Sequence, residues 1–263
     1  MMKQLSKIIT TGSDIEKVLS SLGVLPGDLI CLHISLSSLG YVPGGARTII
    51  ESIIKVIENG TLMMPSYSGD LSDPSEWKHP SVPQKSFNKI RDAIPAYDPL
   101  KTPTRGMGVV AEYFRSFPGV KRSSHPQSSF TAYGSLKKKL LDPHPINNRF
   151  GIKSPLGRFK KMNGWVILMG APFDTVSLFH LTQHLVGNSS NVKKKAPIIK
   201  NGIRKWVNYS DIEYPIDWFA KAVEMLLEAG IAKISLIGKS KMIAFKSDEA
   251  ISEIVRWRKK NNL

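Results

Sequence analysis

The segment Trp165–Gly187, W-V-I-L-M-G-A-P-F-D-T-V-S-L-F-H-L-T-Q-H-L-V-G, constrains this chain more than any other. Val166 to Met169 is an unbroken apolar run that reads as a buried strand. Gly170-Ala171-Pro172 forces a turn. Asp174, Thr175 and Ser177 then offer N-caps for a helix. On that helix Ser177, His180 and His184 are spaced three and four apart, so they share one face. Asp174 precedes that face, at the positive end of the helix dipole. A strand, a turn and a helix bearing an acid, a hydroxyl and imidazoles is a common way to hold a general base. A core helix with two incidental histidines fits the same pattern.

The first part of the chain sets the context for this segment. Ser13-Asp14-Ile15-Glu16 has the form of a capping box, with a helix over 15–22. Leu29–Ile34 reads as a strand, 47–58 as an amphipathic helix and Thr61–Pro65 as a strand. Helix and strand alternate, so this part predicts an α/β fold with a largely parallel sheet. Ligands in such folds sit beyond the carboxyl ends of strands, here at His33-Ile34-Ser35 and Pro65-Ser66-Tyr67. Residues 68–104 are rich in Pro, Asp and Ser, and a loop this long is usually a lid or a binding wall. Further on, helices are expected from Gly106 to Phe117 and over 137–141, 156–162, 216–229 and 248–260. A strand is expected over 128–133, and short strands over 235–237 and 242–245. Residues 188–195 read as a polar, mobile stretch. Residues 197–209 read as a hairpin turning at Asn201-Gly202.

Composition excludes several function classes. No apolar run approaches the roughly 20 residues of a membrane span, and the N-terminus lacks a signal-peptide pattern, so a cytoplasmic location follows by default. Cys31 is the single cysteine; it lies in an apolar run and reads as an inert buried thiol. The net charge of +16 points to an anionic partner. No zinc-finger spacing, RNA-recognition motif or long basic amphipathic helix accompanies it, so a nucleic-acid partner is not expected. His180 and His184 lack the glutamate of H-E-x-x-H, so no metal is expected either.

An ordered set of motifs then carries a resemblance. They are L-H-I-S-L-S-S-L-G-Y-V-P-G-G-A (32–46), M-M-P-S-Y-S (63–68) and Y-D-P-L-K-T-P-T-R-G-M-G (97–108). They continue with F-P-G-V-K-R-S-S-H-P-Q-S-S-F-T-A-Y-G (117–134), F-G-I-K-S-P-L (150–156) and L-M-G-A-P-F-D-T-V-S-L-F-H-L (168–181). In order and spacing, over nearly the whole chain, this set resembles the aminoglycoside 3-N-acetyltransferase family of acetyl-CoA-dependent antibiotic-modifying enzymes. The resemblance implies a single α/β domain over 1–263, with a central mixed sheet flanked by helices and distinct from the GNAT fold. It also implies acetyl transfer from acetyl-CoA to an amine.

The resemblance assigns His180 the place of the catalytic histidine and Asp174 that of the acid in the same motif. Ser177 stands where the family usually has threonine. His33, Ser35, Leu36 and Ser38 resemble the pantetheine-contacting loop. Ser66 and Arg105-Gly106-Met107 resemble its other cofactor walls, and Asp70, Asp73 and Asp98 resemble an acceptor-side wall. His144 and His125 also match recurrent positions and compete with His180 as the base. The chain departs from H-x-x-E, because Gln183 replaces the glutamate that could orient the histidine or bind a cationic acceptor. That loss and the positive charge both act against a polycationic acceptor. The sequence thus leaves three functions open: transfer to an aminoglycoside or related amino sugar, transfer to a nucleotide-linked amino sugar, and CoA or sugar binding without catalysis. It leaves the oligomeric state open too, a homodimer included.

Overall fold

A computed structural model describes residues 8–78 and 81–263. The expectation about the first residues rests largely on 1–7, which lie outside that range. The elements in chain order are α1 (Gly12–Leu22), β1 (Leu29–Ile34), α2 (Ala46–Ile57), β2 (Thr61–Pro65), α3 (Phe87–Ala93) and α4 (Gly108–Arg115). Next come β3 (Lys121–Arg122), β4 (Phe130–Gly134), α5 (Lys137–Leu141), α6 (Pro155–Lys161), β5 (Trp165–Met169) and α7 (His180–Val186). The last are β6 (Asn191–Lys200), β7 (Ile203–Ile212), α8 (Phe219–Glu228), β8 (Lys233–Ile237), β9 (Ser240–Lys246) and α9 (Ser247–Lys260).

Seven strands form one mixed sheet in the order β3-β4-β2-β1-β5-β9-β8. Only β2, β1 and β5 run parallel; every other pairing in the sheet is antiparallel. The largely parallel sheet expected from the first elements is therefore confined to the centre. The central strands alternate strictly. Leu29, Cys31, Val166 and Leu168 face a core built with α5 to α9. Ile30, Leu32, Trp165 and Ile167 face a core built with α1, α2 and α4. Period-two side chains buried on both faces make a three-layer α/β structure, and they explain why these strands are continuous apolar runs. Because β2, β1 and β5 are parallel, their carboxyl ends open on one edge.

Three local expectations are corrected. The capping box is made by Thr11 and Asp14 rather than Ser13 and Glu16: Asp14 accepts from the Thr11 N–H at 2.8 Å, and Thr11 Oγ1 accepts from the Asp14 N–H at 3.2 Å. Among its described residues, the 68–104 loop contains a helix, α3, and three short 3-10 turns. Residues 191–195 are strand rather than mobile coil, since β6 pairs with β7 along all ten positions from Asn191↔Ile212 to Lys200↔Ile203. The lysines of Lys193–Lys195 hid that strand by breaking the apolar alternation. No helix among the described residues is long and apolar enough to cross a membrane.

Candidate active site

The carboxyl ends of the parallel strands frame a cleft of about 710 Å³. His33 lies next to the end of β1, Tyr67 just beyond β2, and Ala171-Pro172 follow β5. At this last crossing Gly170 has φ +63°, and a Cβ there would lie 1.9 Å from Ser38 Oγ. Ser38 instead donates to Ser35 O at 2.7 Å and Gly170 O at 3.0 Å, which ties the β1 loop to the end of β5. The chain then makes 3-10 turns at Phe173–Thr175 and Ser177–Phe179 before α7 starts at His180. Val176, in a non-helical conformation, separates the two turns. Asp174 is thus on a turn of its own rather than at the N-terminus of α7.

His180 opens onto the cleft. Its ring lies against Phe150, stacked with centroids 4.5 Å apart and planes 11° apart, and meets Tyr214 edge-on at 5.2 Å. Its Nδ1 is 3.1 Å from Gln183 Oε1, while Gln183 Nε2 donates to Pro215 O at 2.7 Å. A carbonyl oxygen can only accept, so Pro215 fixes which way the amide points. The amide oxygen in turn requires a proton on His180 Nδ1. Nε2 then carries the lone pair, and no described residue bonds it. Burial lowers the His180 pKa to about 3, against the Gln183 hydrogen bond, which raises it.

The competing histidines are committed elsewhere. His144 donates from Nε2 to Arg149 O at 2.9 Å, and its Nδ1 is 2.9 Å from Ser123 Oγ. His125 donates from Nε2 to Ile146 O at 3.2 Å, and its Nδ1 accepts from the N–H groups of Gln127 and Ser128. Both rings are buried, and burial pushes both pKa values down, that of His144 to about 3. With both nitrogens bonded, neither ring has a lone pair for substrate. His184 gives its Nε2 proton to Tyr214 Oη at 2.9 Å, because Tyr214 donates its own to Asp211 Oδ1 at 2.8 Å.

The cleft gathers some of the expected residues and not others. His33, Ser35, Leu36, Gly106 and Met107 line it, with Asp174 and Ser177 on the His180 side. Asp174 is exposed and, among the described residues, makes no hydrogen bond or ion pair; the partner holding His180 is Gln183. Ser38 supports the loop without lining the cleft. Ser66 is fully buried against Thr131 Oγ1 at 2.8 Å, which takes it out of the cofactor wall. Gln183 is also fully buried behind His180, so it cannot be the acceptor contact that the sequence allowed. Asp73 is buried and bonded to Arg91 at 2.7 Å, which removes it from the acceptor wall; the Arg91 and Ser75 hydrogen bonds outweigh the effect of burial and hold its pKa far below the carboxylate range. Arg105, Asp70 and Asp98 line a different cavity.

Sequence reasoning missed the groups that hold the site together. Tyr67 donates to Ser177 Oγ at 2.7 Å. Arg149 lies over the Phe150 ring at 4.9 Å and the Tyr214 ring at 5.5 Å. Tyr67 had a signal, since it belongs to the Pro65-Ser66-Tyr67 strand end marked as a ligand position, but that position gave it no role of its own. Tyr214 had none, lying in the connection between a hairpin and a helix. Among the described residues no group of three or more His, Cys, Asp or Glu side chains could hold a metal. Cys31 is buried, and burial pushes its thiol pKa up, away from thiolate chemistry.

Comparisons with known proteins bear on the family and the fold. Residues 31–259 match the family model described as aminoglycoside 3-N-acetyltransferase. The chain is 39% identical over 249 residues to the SPbeta prophage-derived aminoglycoside N(3')-acetyltransferase-like protein YokD of Bacillus subtilis, covering 94% of this chain and 92% of that one. The crystal structure of YokD superposes with a TM-score of 0.93 at 38% identity, covering 96% and 94% of the two chains. Aminoglycoside N(3)-acetyltransferase IX of Micromonospora chalcea is 30% identical over 269 residues, 94% of this chain and 92% of the relative. A structure described as AAC-IIIb binary with CoASH superposes with a TM-score of 0.85 at 26% identity, covering 96% and 97%.

Proposed function

This chain belongs to the aminoglycoside 3-N-acetyltransferase family and is an N-acetyltransferase, and on that premise we propose that it moves the acetyl group of acetyl-CoA directly onto an amine of an aminoglycoside or related amino sugar, with His180 as general base. The observation that carries this reading is the state of His180: Nδ1–H held by Gln183 and Nε2 unbonded at the cleft.

The cleft fits the donor. The Ser35–Leu36 turn and Met107 offer backbone and apolar surface to a pantetheine arm, and the CoASH-bound relative supports the assignment. When bound, the donor supplies a thioester that needs no activation. His180 Nε2 takes the proton the amine sheds as its nitrogen bonds the acetyl carbon; the C–S bond breaks, and CoA leaves as a thiolate that takes up a proton, while the Phe150 stack keeps the ring from turning away. Tyr67 donates to Ser177 Oγ, so the Ser177 proton is left to point into the cleft. There it stabilises charge developing on the carbonyl oxygen. Asp174, exposed on the same wall, draws the protonated acceptor toward the cleft. Among the described residues no activated serine or cysteine stands near, so transfer has no acyl-enzyme.

The test is release of CoA thiol with an amine acceptor present. His180→Asn lowers kcat by about 10²–10⁴-fold, the range for a lost general base. Wild-type turnover by this variant would overturn the assignment, as would an acetylated protein trapped after quenching.

A further inference from the structure

The end of β1 places a second buried imidazole in the cleft, one that the proton transfer to His180 does not use. His33 is 4% exposed and lines the same cavity as His180 and Ser177. Strand alternation sets its direction. Cys31 and Leu29, two and four residues earlier, face the core that also holds Leu178, Phe179 and Leu181. His33 continues that side of the strand. The turn carrying Ser177 and the helix α7 pack on this same face. The strand end is held in register, with His33 opposite Leu168 and the Ser35 N–H donating to Met169 O at 3.1 Å. Burial is the main cause of the lowered His180 pKa, and a charge on His33 adds to it, so the two rings act on each other across the cleft.

The proton of the His33 ring is placed by its neighbour. Nε2 is 3.7 Å from Cys31 Sγ. Burial pushes the Cys31 thiol pKa up, so the sulfur keeps its hydrogen. A thiol sulfur is a weak acceptor and an imidazole nitrogen a good one, so the S–H points at Nε2. Cys31 has no other side-chain hydrogen bond among the described residues. Burial lowers the His33 pKa to about 4, so near neutral pH the ring is uncharged and carries one proton. With Nε2 accepting, that proton is on Nδ1. Nδ1 bonds no described residue and is not among the polar atoms buried without a partner, so it opens on the cleft. His33 and His180 are neutral imidazoles of opposite hydrogen-bonding sense. Gln183 leaves His180 a lone pair, and Cys31 leaves His33 an N–H.

We propose that His33 is a further catalytic residue, donating from Nδ1 to the acetyl carbonyl oxygen of the donor as that oxygen's second partner beside Ser177. The inference rests on the acetyl-transfer reading above. A carbonyl oxygen has two lone pairs, and the Ser177 hydroxyl serves one of them. As the amine nitrogen bonds the carbonyl carbon, the C=O π pair moves onto oxygen and both hydrogen bonds strengthen. The pair returns as the C–S bond breaks and the thiolate leaves. His33 keeps its proton throughout. A neutral imidazole suits this role, since an imidazolium in the same cleft would lower the basicity of His180.

The experiment reads the donor before any acceptor is added. Infrared difference spectra are taken of bound acetyl-CoA carrying carbon-13 at the acetyl carbonyl. The band is expected at lower wavenumber than in free acetyl-CoA, and His33→Leu moves it back toward the free position. With neomycin or glucosamine as acceptor, His33→Leu lowers kcat of thiol release by about 10²-fold, the worth of one oxyanion donor. It leaves the Kd of CoA, which has no acetyl carbonyl, unchanged. His33→Asn offers an amide N–H in place of Nδ1–H and recovers part of both the band shift and the rate. Nitrogen-15 NMR of the wild type at neutral pH places the His33 proton on Nδ1, a reading that needs no folded variant. A band unshifted in the wild type, a proton on Nε2, or His33→Leu turning over at the wild-type rate overturns the inference while leaving acetyl transfer intact. A CoA affinity that falls as far as kcat overturns it too, because that marks a contact with the pantetheine arm alone. A shifted band that His33→Leu abolishes, without thiol release to either amine, keeps His33 as the carbonyl's partner while the transfer reading fails. Absence of acetyl-CoA binding overturns both.

Discussion

Replacing Gln183 by glutamate tests how the base is held. The amide lies 3.1 Å from His180 Nδ1 through its oxygen and 2.7 Å from Pro215 O through its nitrogen, fully buried. A carboxylate keeps the first contact and loses the second, since it has no proton to give Pro215 O. Two effects follow. A negative charge about 5 Å from the imidazolium centre, at an effective dielectric of about 20, stabilises the protonated ring by about 3 kcal/mol, or roughly two pKa units. His180 then moves from about 3 to about 5. An unsatisfied acceptor beside Pro215 costs about 2 kcal/mol, which lowers Tm by roughly 4–8 °C in a chain of this size. The free enzyme is active with His180 neutral, so kcat/KM falls as pH drops through this pKa. In Gln183→Glu the acid limb therefore moves up, and activity at about pH 5 falls to about half its neutral value. Because residue 183 does not reach the cleft, KM for the acceptor changes less than kcat. The assay is a pH profile of thiol release with a thermal melt at each pH, scoring only folded protein. Superimposable profiles for the two proteins would refute the role given to the Gln183 bond.

Four further outcomes are expected. His33, His125, His144, His180 and His184 all have pKa values lowered by burial, so the unfolded chain binds more protons than the native one. Stability is complete above about pH 6.5 and is lost as pH falls toward about 4 and then about 3; a Tm that stays flat between about pH 6.5 and 4 contradicts this. Tyr67→Phe leaves Ser177 Oγ without its donor and lowers kcat about tenfold with little change in Tm, by steady-state kinetics and calorimetry. Asp73→Ala removes the buried carboxylate that accepts from Arg91 and from the Ser75 N–H and lowers stability, as read by urea unfolding. Tyr214→Phe leaves His184 Nε2 and Asp211 Oδ1 short of a partner and costs about 1–3 kcal/mol by the same unfolding assay, while loosening the His180 ring enough to lower kcat more than it raises KM.

The central sheet was legible in the sequence because strands buried on both faces need apolar runs, as in Leu29–Leu32 and Trp165–Met169. The turn that carries His180 was legible through Gly170 and Pro172. Strand direction was not, since whether β9 runs parallel or antiparallel to β5 depends on connections that leave no local mark. The site was legible where a motif names a residue and obscure where a residue acts by contact. Asp73 and Asp98 look alike as loop acids, yet Asp73 is buried under Arg91 while Asp98 holds its own turn, accepting from the Leu100 N–H at 2.8 Å. His125, His144 and His180 likewise differ only in what occupies their ring nitrogens.

The β6–β7 hairpin has a consequence for biosynthesis. Residues 68–104 are fastened to it by contacts that reach across the sequence. Lys194 bonds Glu76 118 positions earlier, Arg204 bonds Ile94 110 positions earlier, and the Trp206 indole bonds Arg91 O 115 positions earlier. Contacts of such separation form late, because a long stretch of chain must be closed to make them. On a ribosome, β1 and β2 can be complete while the segments that line the cavity of Asp70, Asp98 and Arg105 still wait for residues 191–212 to emerge. A nascent or truncated chain ending before the hairpin would therefore carry His180 but lack the Ile199 and Arg204 wall of that cavity.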